Sequence, residues 1–221
     1  MGSLIAATAL FAVPGHAMAS SGEGTCEVPG SRTAKTNSMV RVYWKQTGDG
    51  PYKGKALYGC LRKSGQIRLL YRMGPPAPNA GQQLHHLRLS GSSLAFAVTA
   101  FCTVCGDGGP YTMLDAVEVR SGERRRIRQA RSGPADGYGD RVDALTVDAC
   151  GRVAYRVGAA DLYEDPDPDP QLILWTKRSR TVVDRGRIEP RSIRLRPTAL
   201  LWKRDGTQMR AALHRCRPLG A

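Results

Sequence analysis

Cys102 and Cys105 stand three apart in "AFCTVCGDGG", between an apolar run and a glycine turn, a spacing that serves thiol redox chemistry, metal binding or a disulfide. A redox pair needs a helix N-terminus, where backbone N–H groups lower the thiol pKa, and the following "GDGGP" starts no helix. "CxxCG" matches half of a zinc ribbon, but four-coordinate zinc needs two further ligands, usually a second close pair. Cys150 and Cys216 stand apart, and the nearest His–Cys combination is His214 with Cys216. No metal site is expected there, and a local Cys102–Cys105 disulfide is the expectation, with pairing to distant cysteines as the alternative.

The loop "DLYEDPDPDP" gathers Asp161, Glu164, Asp165, Asp167 and Asp169, oxygen ligands of the kind calcium prefers. Calcium loops wrap around their ion with glycine at the sharp turn, whereas proline at 166, 168 and 170 holds this segment extended. A stiff, solvated loop is the expectation and a calcium site the alternative; no other cofactor is expected. Hydrolytic chemistry finds no G-x-S-x-G elbow. Past residue 19 the histidines are His85, His86 and His214, and alternation along a strand would place His85 and His86 on opposite faces. No catalytic residue is assigned.

The first nineteen residues carry no charge, an apolar segment from Leu4 to Val13, and the small-residue pattern Ala17-Met18-Ala19. They read as a signal peptide cleaved after Ala19, although no Lys or Arg precedes the apolar segment. That segment is too short for a permanent anchor. Residues 20–221 then form the mature domain, in the secreted, periplasmic or cell-envelope space, where six cysteines favour disulfides.

Lys and Arg number 33 against 19 Asp and Glu, a net charge of +14 that raises the question of a polyanion partner. Most of this charge is scattered arginine, and a composition bias accounts for it. The densest run, "GERRRIRQAR" at 122–131, reads as a solvated edge strand whose like charges discourage association.

What must position these residues is β-structure. Apolar residues alternate with period two, and helical spacing is hard to find after residue 20. "LHHLRLSGSSLAFAV" and "VDALTVDACGRVAYRV" are hairpins turning at Ser90-Gly91-Ser92 and at Gly151. Each is followed by a polar loop and a second hairpin, giving a four-stranded unit. Copies span about 31–72, 84–129, 142–184 and 190–213, the last lacking one strand. Linkers at 73–81, 131–140 and 184–190 are rich in glycine, proline and charge. Cys26 and Cys60 fall with the first copy and are the favoured second pair, leaving Cys150 with Cys216.

This unit, with "LAFAV" or "VAYRV" in its second strand and "KRDG" at 203–206, resembles a β-propeller blade of the TolB-like or WD-repeat type. Over residues 31–213 the chain is similar to exported actinobacterial proteins with degenerate propeller repeats. The resemblance implies an all-β, propeller-like stack of twisted sheets with binding surfaces formed by loops. A β-sandwich is the alternative.

A fold does not fix a function. The expectation is an exported, non-enzymatic binding or scaffold module whose partner is a protein or an anionic cell-envelope polymer, nucleic acid being disfavoured. One alternative is a hydrolase or lyase of cell-envelope polymers. The other is purely electrostatic attachment to anionic cell-wall polymers. Trp44, Trp175 and Trp202, each in an apolar strand, are expected to pack between sheets ahead of forming a sugar platform.

Overall fold

Alternation in "VRVYWKQT" sends Val40 and Val42 to one face, where both are fully buried, and this pattern recurs along the chain. The computed structural model describes residues 25–48, 53–74, 80–102, 111–131, 139–160 and 170–216. The sequence-expected signal peptide, the Cys105 loop and the acidic run from Asp161 to Asp169 lie outside these residues, as does the side chain of Cys102.

The strands form four antiparallel sheets in chain order. The first holds β1 (Arg32–Thr36), β2 (Val40–Thr47), β3 (Gly54–Leu61) and β4 (Ile67–Met73), and the second β5 (Ala80–Ser90), β6 (Ser93–Cys102), β7 (Tyr111–Glu118) and β8 (Glu123–Arg131). The third holds β9 (Gly139–Val147), β10 (Val153–Ala160), β11 (Gln171–Trp175) and β12 (Arg180–Arg185). A 3-10 turn at Pro190–Ser192 leads into the fourth, β13 (Arg194–Arg196), β14 (Ala199–Arg204) and β15 (Thr207–Ala212). Every strand neighbours the next in sequence, so each sheet is a meander. The chain is all-β, and among the described residues no helix is long and apolar enough to cross a membrane.

Tight turns close the hairpins. Gly91, Gly122 and Gly151 have φ of 57°, 75° and 75°, the left-handed region that a side chain disfavours. Two first strands begin earlier than alternation alone predicts. β5 starts at Ala80, not near Leu84, because Gly81, Gln82 and Gln83 pair with Phe101, Ala100 and Thr99; β9 likewise starts at Gly139.

Successive sheets share cores. Val42, Leu57 and Tyr71 of the first pack with Phe96, Val98 and Val117 of the second. Ala97 and Leu114 of the second meet Leu145, Tyr155 and Ile173 of the third. Leu172 and Ala154 of the third meet Leu200 and Trp202 of the fourth. Among the described residues these apolar clusters link neighbours in chain order and none links the fourth sheet to the first, so no closed ring is seen. Two disulfides fasten the ends of the stack. Cys26–Cys60 holds the N-terminal segment over Tyr43 and Tyr58 on the first sheet, and Cys150–Cys216 ties the C-terminal segment to the β9–β10 turn.

Candidate functional site: a basic groove along the first strands

The first strand of each sheet is an edge strand, and these edges approach one another, β1 against β5, β5 against β9 and β9 against β13. Three of them carry an irregularity at the same point. One extra residue interrupts the ladder at Ala34 in β1, at His86-Leu87 in β5 and at Asp143 in β9. Such a bulge bends an edge strand and re-aims a side chain. In β5 Leu87 turns into the core, and His86 takes φ of 52°, a left-handed backbone that is uncommon without glycine. His85 and His86 therefore do not take the opposite-face geometry expected of a regular strand. Their rings lie 6.3 Å apart, tilted by 41°, in the middle of β5. The last strands of the same three sheets are also interrupted, at Leu70, Ile127 and Val183, so the three sheets share one pattern of interruptions.

Ala34, His86 and Asp143 all face one groove made of two adjoining basins. The first, about 750 Å³, lies between the first and second sheets and is lined by Arg32, Lys35, Lys45, Lys55 and Arg88, with Trp44 and the amides of Gln46, Gln82 and Gln83. Beneath it Tyr71 Oη donates to Gln82 Oε1 at 2.9 Å, joining the two sheets and fixing that amide. The second basin, about 720 Å³, lies where the second, third and fourth sheets meet, and Arg191 and Arg194 line it with Ile193 and Leu145. His86 and Arg88 line both.

Among the described residues, seven Lys or Arg side chains thus line the groove against one carboxylate, Asp143. That carboxylate is committed, since Asp143 Oδ2 pairs with Arg156 Nη1. Gly158 makes room for the pair: a Cβ there would lie 3.2 Å from Asp143 Oδ2 and 3.3 Å from Arg156 Nη1. The cations of the groove are exposed and, apart from Arg191 on the 3-10 turn, stand on strands. Like charges held this close repel one another, and an anion between them relieves that repulsion.

The other sequence-flagged residues lie elsewhere. Arg124 and Arg126 of the basic run sit on β8, the outer edge of the second sheet, and clamp the fully buried Asp115, with Arg124 Nη2 at 2.5 Å. That run neutralises a buried charge. Asp148, Cys150 and Cys216 bring ligand-type atoms within 4.8 Å of one another, but the two sulfurs are bonded together. Trp202 is buried between the third and fourth sheets and donates from Nε1 to Asp184 Oδ2 at 2.6 Å, while Trp175 packs between the second and third. Trp44 packs against the first core and also lines the groove.

No protein-family model matches the chain, and no curated protein does. Among solved structures, the chain is similar to a polysaccharide lyase described as a new family, PL25 ulvan lyase, at a TM-score of 0.43 and 8% identity over 82% of this chain and 51% of that one. It is similar to the same lyase bound to -[GlcA(1-4)Rha3S]- at 0.42 and 9%, with the same coverage. The chain spans about half the length of the structures it matches.

Sequence reasoning missed the groove because its cations come from the first, second and fourth sheets and from the 3-10 turn before β13, far apart in the chain. Arg32, Lys35, Arg88 and Arg194 look like scattered charge in the chain, and only the adjacency of first strands gathers them.

Proposed function

We propose that this protein is an exported binding module that holds an anionic polymer of the extracellular or cell-envelope space in the groove along β1, β5, β9 and β13. The four meandering sheets read as an arc of propeller-like blades, with the groove on the inner edge. The observation that carries the reading is the convergence, among the described residues, of seven cations and one already paired carboxylate on a groove that runs along adjacent first strands, three of them bulged at matching points. Two disulfides and the uncharged apolar leader support export.

The test is retention on an immobilised polyanion over a salt series. Affinity should fall on the order of ten-fold or more between 50 and 200 mM salt, because bound cations release counterions. Arg88→Glu with Arg194→Glu should abolish retention, while Arg125→Glu, an exposed position on β8, should leave most of it. Equal loss from both changes would place attachment on overall charge and refute the groove.

A second reading, cleavage of the same polymer, has one observation in its favour. His86 is held at φ of 52° where the two basins join, beside Arg88, and strained backbone of this kind clusters at functional sites. Chain shortening of a polyuronate by the wild type, lost in His86→Ala, would establish it; an unchanged chain length would leave binding alone.

A further inference from the structure

The two basins share charge but not chemistry. Trp44 and the three glutamine amides line the first basin, whereas the second joins its arginines to Pro190, Ile193 and Leu145. Polyphosphate needs cations and has no apolar face to offer an indole. A sugar ring has one, in its axial C–H groups, which stack on aromatic surface, and its hydroxyls seek amides that both donate and accept. Resting on the function proposed above, we infer that the first basin is a subsite for an acidic sugar: Trp44 carries the ring, Gln82 and Gln83 take its hydroxyls, and Arg32 and Lys35 hold its carboxylate or sulfate.

The placement of these groups fits one residue of a glycan. Arg32 pairs directly with Trp44 across β1 and β2, so a cation stands beside the indole on adjacent strands. Gln82 and Gln83 come from β5 on the facing side, and Gln82 is fixed by the Tyr71 hydroxyl. Ala34, at the bulge of β1, adds only a methyl group between the two walls. The second basin, with Arg88 at the junction and Arg191 and Arg194 beyond, then receives a further acidic residue of the same chain. Single-stranded nucleic acid also joins phosphate to stacking rings, but successive bases call for successive aromatic side chains. Among the described residues the groove lining offers one indole, Trp44, the imidazole of His86 at the junction, and no Phe or Tyr.

Calorimetry on the oxidised full chain with three probes of matched charge, an oligogalacturonate, a polyphosphate and an oligothymidylate, tests this. The expected result is at least ten-fold tighter binding of the oligogalacturonate. Trp44→Leu and Gln83→Ala should each weaken that probe at least five-fold while leaving the polyphosphate within two-fold. Gln83 is exposed, so its replacement keeps the inference testable if Trp44→Leu disturbs the core. Equal binding of all three probes, untouched by either variant, would overturn the sugar subsite and leave the anion groove standing. Preference for oligothymidylate would overturn it in favour of nucleic acid. Binding of none would overturn both this inference and the function on which it rests.

Discussion

Arg152 donates from Nε to Asp148 Oδ2 at 2.6 Å, and both side chains are withdrawn from solvent. The same guanidinium donates from Nη1 to the carbonyl of His214 at 2.9 Å and from Nη2 to those of Arg196 and Pro197 at 3.2 and 2.8 Å. One residue of the β9–β10 turn thus ties the third sheet to the fourth and to the C-terminal segment, alongside the Cys150–Cys216 disulfide. Arg152→Met should cost roughly 3 kcal/mol in urea unfolding, because it leaves the buried Asp148 charge without its guanidinium partner and with only two backbone N–H groups to hold it. Asp148→Asn in the same chain should recover part of the loss.

At Gly59 the first sheet comes close to Val119, which follows β7 of the second. A Cβ there would lie 2.6 Å from Val119 Cγ1 and 3.1 Å from Leu70 Cδ1. Overpacking of this sort typically costs about 1–3 kcal/mol, and Gly59→Ala should lower the unfolding midpoint accordingly. Gly74→Ala, where a Cβ meets nothing within 4 Å, should leave it unchanged.

The Cys26–Cys60 bridge closes a loop of 34 residues in sequence. By the chain-entropy relation its removal as a double serine variant costs about 4 kcal/mol. The loss should appear as a lower unfolding midpoint and as earlier hydrogen exchange across β2 and β3, which the N-terminal segment covers.

Beneath that bridge Tyr43 stacks on Tyr58 with ring centroids 5.6 Å apart. Burial raises the Tyr43 phenol above its ordinary value, Tyr58 adds to the rise and Arg41 opposes it. A raised pKa in the folded state means that the folded chain holds this proton more tightly than the unfolded one. Its contribution is full below about pH 10, the unfolded value, and is lost as pH rises through the folded value. Tyr43→Phe should therefore flatten the fall in stability above pH 10, measured by denaturant unfolding at stepped pH.

Period-two alternation and glycine turns made the sheets legible. "LSGSSLAFAV" reads as a hairpin because Gly91 must turn and Leu94, Phe96 and Val98 must face inward, as they do. The bulges were not legible. An extra residue at Ala34 or Asp143 leaves alternation intact on both sides, and at His86 no glycine signals the left-handed backbone. The groove was hidden for a related reason: Arg32, Lys35, Arg88 and Arg194 acquire a common role only when β1, β5, β9 and β13 lie side by side. Trp44 looked like packing, and it is packing on one side, with the groove on the other.

The most direct test of the account is hydroxyl-radical footprinting of the oxidised protein with and without a saturating polyuronate. The account predicts protection at His86, Trp44 and Pro190, which line the groove, with Ile67 and Leu69 on the outer edge of the first sheet as reactive as before. Protection at the outer edges β4 and β8 with none along the first strands would contradict it.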